Sequence, residues 1–198
     1  MRRNAGRALA IAGAGLLVIT GSVYARGAIA RDRARSEWDA MMAHQAVASA
    51  HLEADRGRRP TVARGAPIAR LLIPSAHLDE IIVEGVAAEQ LNAGPGHIPN
   101  SALPGENGRS VISAHRDRHF RTLGKVRVGD TLTTETATLS TTWVVVSRRI
   151  LPKDTRVEFK APRPTLMLTT CWPMGYFGSA PDRLVIEARA LDRNSAGT

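Results

Sequence analysis

The hydrophobic pattern divides the chain near residue 65. From Ala8 to Ala25 the run ALAIAGAGLLVITGSVYA carries no charge. At about 1.5 Å per helical residue it nearly spans a hydrocarbon core of roughly 30 Å. Gly13, Gly15 and Gly21 would be costly in a water-exposed helix but are tolerated in a membrane. Residues 31–55 are rich in Ala and free of Pro and Gly, with Trp38, Met41 and Met42 at helical spacing. That stretch predicts a juxtamembrane helix that packs on the domain or serves as a stalk. Gly57, Pro60, Gly65 and Pro67 then punctuate a basic linker.

Beyond Ala66 the period changes. Short β-type runs occur at Ala69–Ile73, Glu80–Val86, Arg109–Ser113, Thr131–Thr136, Trp143–Ile150, Thr165–Thr170 and Arg183–Leu191. Turn signals separate them, including Gly94-Pro95-Gly96, Pro104 to Gly108 and Val128-Gly129-Asp130. Many short strands at such spacing predict an all-β fold, a closed or nearly closed barrel. Phe120–Val126 is the one stretch there that reads as a helical turn.

The expected organisation is a basic end plus single transmembrane signal-anchor (1–30, span about 8–25), a juxtamembrane helix and linker (31–65), and one globular domain (66–198). Val23-Tyr24-Ala25 resembles a small-x-small cleavage site, but the apolar run is longer than a usual signal-peptide core, which favours an uncleaved anchor. Arg2, Arg3 and Arg7 precede the span and Arg26, Arg31, Arg33 and Arg35 follow it, so charge alone does not set its orientation.

Composition changes this picture in two ways. Aromatics make up only 4% of residues, so the core must rest on Val, Ile, Leu and Ala. The net charge of +9 invites a nucleic-acid reading, yet residues 1–65 carry 11 Lys/Arg against 5 Asp/Glu and residues 66–198 carry 16 against 13. The excess lies beside the membrane span, where anionic headgroups are the expected partner. No nucleic-acid partner is expected.

Chemistry is concentrated at two strand ends. Val111-Ile112-Ser113 runs into Ala114-His115-Arg116-Asp117, and Leu166-Met167-Leu168-Thr169-Thr170 runs into Cys171, the single cysteine. No intramolecular disulfide is possible, so the thiol is either inert or reactive. Arg183 opens a further apolar run, Leu184-Val185-Ile186.

These segments resemble the sortase family, whose members carry a His after an apolar strand, a Thr-Leu-x-Thr-Cys strand end and an Arg opening the last strand. Met167 stands where the family usually has Thr, and Ala114 where it has Gly. Ile68–Ile73 followed by Pro74, Leu91–Ile98, Ser101–Asn107 and Gly129-Asp130 are similar to further family segments, so the resemblance covers about residues 66–192. Composition resembles the proteobacterial branch more than the pilin-building one. The resemblance implies a closed barrel of about eight strands with short helical turns.

It also implies a membrane-anchored cysteine transpeptidase on the extracytoplasmic side of the cell membrane. Cys171 is the expected nucleophile, His115 the acid/base and Arg183 the cationic stabiliser. Thr170 is an auxiliary donor through hydroxyl or backbone. Asp117, two residues from His115 and so on the same strand face, is a candidate to orient it. His97 and Trp172 are candidates for the substrate groove. The implied substrate is a protein with a Leu-Pro-x-Thr-Gly-like sorting signal, passed through a thioester to a cell-surface amine. No cofactor and no metal are expected. Two other readings stand beside this one: a non-catalytic anchored barrel, and a zinc site built from Cys171, His115 and His119.

Overall fold

Strand alternation determines how the barrel closes. The computed structural model describes residues 2–48, 62–156, 158–176 and 178–191. A long helix, α1 (Arg2–Ala48), precedes β1 (Pro67–Ile73), β2 (Leu78–Glu84), a short α2 (Ala88–Ala93), β3 (Gly96–His97) and β4 (Arg109–Ser113). Then come β5 (Thr131–Glu135), β6 (Ser140–Pro152), β7 (Thr165–Trp172) and β8 (Asp182–Ala190). Short 3-10 turns occupy Pro74–Ala76 and Leu123–Lys125. The strands form a closed barrel in the order β1-β2-β3-β4-β7-β8-β6-β5. Closure pairs most strand edges within the barrel, which limits pairing with another chain.

Three neighbouring strands matter most. On β4, β7 and β8 the even-numbered side chains Ile112, Leu166, Leu168, Leu184 and Ile186 fill the barrel core. The odd-numbered Val111, Met167 and Val185 form a separate apolar patch on the outer face, flanked by Ile98 and Leu151. Parallel pairing sets Val111 beside Met167 and Ser113 beside Thr169. Antiparallel pairing sets Thr169 beside Val185 and Cys171 beside Arg183. A period of two therefore puts Cys171 and Arg183 on the outer face, past the apolar patch.

Where a membrane helix and a separate juxtamembrane helix were expected, one continuous helix of 47 residues runs through both, about 70 Å long. Gly27 does not break it, and no proline lies within it. Its halves differ in surroundings. Leu16, Leu17 and Val18 are 67%, 75% and 71% exposed, whereas Ala34 and Trp38 are buried. The latter pack on Ile81 and Val83, with Met41 and Met42 alongside. Residues 49–61, which include His51, Gly57 and Pro60, lie outside the described residues. Two small elements escaped the pattern: α2, at six residues too short for a helical period, and the two-residue β3.

Candidate active site

Cys171 is half-buried at the penultimate position of β7. Arg183, its register partner on β8, donates from Nη1 to Cys171 Sγ. On the other side of β7, Ala114 N–H donates to Thr169 O at 3.2 Å, extending the parallel β4/β7 pairing by one residue. Continuing that register by two positions brings His115 level with Cys171 on the outer face. All three line one cavity of about 270 Å³, together with Arg116, Asp117 and Lys153. Sulfur and guanidinium are thus delivered by two adjacent strands, and the imidazole by the segment that directly follows β4, on a scaffold rigid enough to hold a precise site.

The segment after β4 is pinned at both ends. Ala114, Phe120 and Leu123 are buried in the core, and Phe120 N–H donates to the His115 carbonyl at 3.1 Å. Arg116 crosses the cavity mouth, its Nη2 donating to Tyr176 O at 2.5 Å and Gly178 O at 2.8 Å. Burial pushes the His115 imidazole below its usual range; the Asp117 charge opposes this, and Arg118 and His119 add to it. Burial penalises the cation, while a nearby carboxylate favours it. Among the described residues no hydrogen bond joins Asp117 to His115, so Asp117 acts on the ring through its field.

Thr170 points the other way. It is buried, and its hydroxyl donates to Ala114 O at 2.7 Å. With its one hydrogen used there, the hydroxyl is not free as a donor to substrate; it ties the cysteine strand to the segment carrying His115.

His97, expected at the groove, is 2% exposed. Its Nδ1 meets Glu84 Oε2 at 2.7 Å, and its Nε2 meets Ala102 O at 2.9 Å and Ser101 Oγ at 2.8 Å. Ser101 Oγ also lies 2.7 Å from Ile98 O. This is an internal brace between β3 and the following loop, shut off from solvent. Trp172, the other groove candidate, packs against the barrel core beneath Arg148, whose guanidinium sits 5.5 Å from the ring centroid. It occupies an even-numbered, inward position and does not line the cavity with Cys171.

The three-ligand zinc arrangement does not form. His119 is buried against Glu80, 3.0 Å from Nδ1, and lies behind the loop rather than in the Cys171 cavity. Among the described residues no group of three or more His, Cys, Asp and Glu is arranged to hold a metal ion. His77 is exposed in a left-handed conformation after the first 3-10 turn.

Sequence reasoning passed over Arg116 and Lys153. Arg116 adjoins His115, and its place in the same polar cluster was the available signal. Lys153 had none, because only the pairing of Pro152 with Asp182 brings it to the cavity.

A family model described as a sortase domain matches residues 71–191. Sortase D of Bacillus subtilis (strain 168) is 38% identical over 123 residues, which is 61% of this chain and 62% of that protein. The match thus spans under two thirds of that relative's length. Among solved structures, a sortase D5 transpeptidase from Clostridium perfringens aligns with a TM-score of 0.66 at 23% identity, covering 82% of this chain and 99% of that one. Sortase C-1 of Actinomyces oris aligns at 0.59 and 19%, covering 78% and 99%. A Clostridium perfringens sortase C with the C-terminal cell wall sorting motif aligns at 0.60 and 22%, covering 79% and 89%.

Proposed function

The chain belongs to the sortase family, and from that premise we propose that it is a membrane-anchored cysteine transpeptidase in which Cys171, His115 and Arg183 carry the reaction. The observation that supports this most directly is the guanidinium of Arg183 donating to the only thiol, with His115 lining the same cavity.

In this reading the Cys171 thiolate attacks the carbonyl carbon of a scissile peptide bond, the nucleophilic form of a cysteine. The carbonyl oxygen becomes an oxyanion, and Arg183, permanently charged, is the donor placed to receive it. Collapse breaks the C–N bond, His115 in its imidazolium form gives its proton to the departing amine, and a thioester remains. An incoming primary amine then attacks the thioester carbonyl. His115 takes a proton from that amine, the C–S bond breaks, and a new amide leaves with the thiolate restored.

A protein with a Leu-Pro-x-Thr-Gly-like signal is the proposed donor, and a cell-surface amine the proposed acceptor. The Clostridium perfringens sortase C solved with a sorting motif is a precedent for that substrate class. Anchoring rests on the exposed apolar half of α1, with the barrel on the extracytoplasmic side. Residues 1–30 form the anchor, 31–65 the connection and 66–198 the catalytic domain. No cofactor enters this proposal.

The test is incubation of the full chain with a library of sorting-signal peptides, followed by intact-mass and peptide mapping. A thioester adduct on Cys171, absent from Cys171→Ala, is expected, and its mass identifies the motif. Peptide turnover that survives Cys171→Ala would refute the reading.

A further inference from the structure

We propose that the docked half of α1 positions the loop that carries His115, acting through Arg118. The inference rests on the reading of His115 as the acid/base and extends the site to a part of the chain otherwise cast as an anchor.

The contacts behind the loop carry it. Arg118 Nη1 donates to Asn92 Oδ1 at 2.8 Å. The Arg118 guanidinium lies 5.4 Å from the centroid of the Tyr24 ring on α1, within the range of a cation–π attraction. Gly27 faces the same guanidinium so closely that a Cβ there would sit 2.7 Å from Arg118 Nη1. One residue on, His119 Nδ1 lies 3.0 Å from Glu80 Oε2 and its Nε2 3.4 Å from Asn92 O, while Arg31 of α1 pairs with the same Glu80 carboxylate at 3.7 Å. Helix α1 is itself seated by Ala34 and Trp38 on Ile81 and Val83 and by Arg35 on Asp79 at 3.1 Å.

The loop is therefore held from two sides. Arg116 ties it to Tyr176 and Gly178 across the cavity, and Arg118 ties it to α1 behind. Between the two sits His115, whose carbonyl accepts from Arg118 N–H at 3.4 Å and Phe120 N–H at 3.1 Å. A displacement of Arg118 passes directly into the backbone that aims the imidazole, and misplacement of a reacting group by about 1 Å can cost about 100-fold in rate.

Arg118 also bears on the ring electrostatically. The groups facing His115 are Asp117, Arg118 and His119 on its own loop, with Arg116, Lys153, Cys171 and Arg183 around the cavity. Moving the Arg118 cation away removes one of the influences that depress the His115 titration. Position and charge thus give separable readouts.

The experiment uses the full chain in nanodiscs and a fluorogenic sorting-signal peptide. Gly27→Leu places a side chain where the Arg118 guanidinium now lies, with Asn92 O of α2 the next neighbour at 3.6 Å from its Cβ, and Arg118→Ala removes the contact from the other side. Both are expected to lower kcat by about 10- to 100-fold with KM within about twofold of the parent, and to move the His115 titration upward. Arg118→Lys, which keeps the charge, should return that titration toward the parent. Parent-like kcat in both Gly27→Leu and Arg118→Ala overturns the inference. His115→Ala is run alongside: if it retains transfer, the assignment of His115 fails; if it is inactive while the other two match the parent, only the role of α1 fails.

Discussion

Arg183 stands directly across the β7/β8 ladder from Cys171, and its guanidinium donates to the sulfur. The pairing is a product of register: sliding either strand by one residue would turn one of the two side chains into the core. If Arg183 also receives the oxyanion, Arg183→Ala should lower kcat/KM by about 100- to 1,000-fold, the range for loss of one such donor. Arg183→Lys keeps the charge but loses the planar fork and should fall between. Steady-state transfer assays with iodoacetamide labelling of Cys171 as a control decide it. Parent-level transfer in Arg183→Ala would remove Arg183 from the mechanism.

Asp117 supplies the one influence that raises the His115 titration, against burial, Arg118 and His119. Asp117→Asn should therefore move it further down. The imidazolium exists below its pKa, so the limb of the pH–rate profile that needs the cation should shift to lower pH. NMR titration of the His115 ring checks the first statement and the pH dependence of kcat/KM the second. An upward or absent shift would show that the carboxylate field does not reach the ring.

Thr170 makes a buried hydrogen bond to the Ala114 carbonyl. Thr170→Val keeps the shape but leaves that acceptor unpaired, at a cost of about 1–3 kcal/mol. The denaturant midpoint should fall with an unchanged m-value, and transfer should weaken because Ala114 immediately precedes His115. Thr170→Ser preserves the donor and should restore most of the transfer rate. If Thr170→Ser and Thr170→Val behave alike, the hydroxyl is not what matters.

The all-β barrel and the ends of β4, β7 and β8 were legible because local alternation and polar clusters mark them. The placement of His115 level with Cys171 was implied by the family resemblance and not by local pattern, since it depends on the parallel pairing of strands separated by half the domain. His97 was misjudged for a related reason: Glu84 and Ser101 surround it only once β2, β3 and the following loop meet. Trp172 next to Cys171 looked like a groove residue, yet adjacent strand positions face opposite ways. The continuity of α1 was hidden by Arg26 through Arg35, where a change from apolar to charged composition read as a boundary between elements although the backbone has no reason to stop.

That continuity yields the last prediction. Ile11, Leu16, Leu17, Val18 and Ile19 are 63–75% exposed along the free half of α1, and each is worth about 1.5–3 kcal/mol when taken out of water. The total is of the order of 10 kcal/mol, too much apolar surface to leave wet on a helix the domain does not cover. Burial in a bilayer would recover it and would set Tyr24 at the polar boundary, where aromatic side chains gather. The full chain should therefore resist carbonate extraction from membrane vesicles. Removal of residues 1–23 should release it to the supernatant with the barrel folded, because Tyr24, Gly27, Arg31, Ala34 and Trp38 all remain to dock on the domain. If the full chain is extracted by carbonate as readily as the shortened one, the exposed half of α1 is not a membrane anchor.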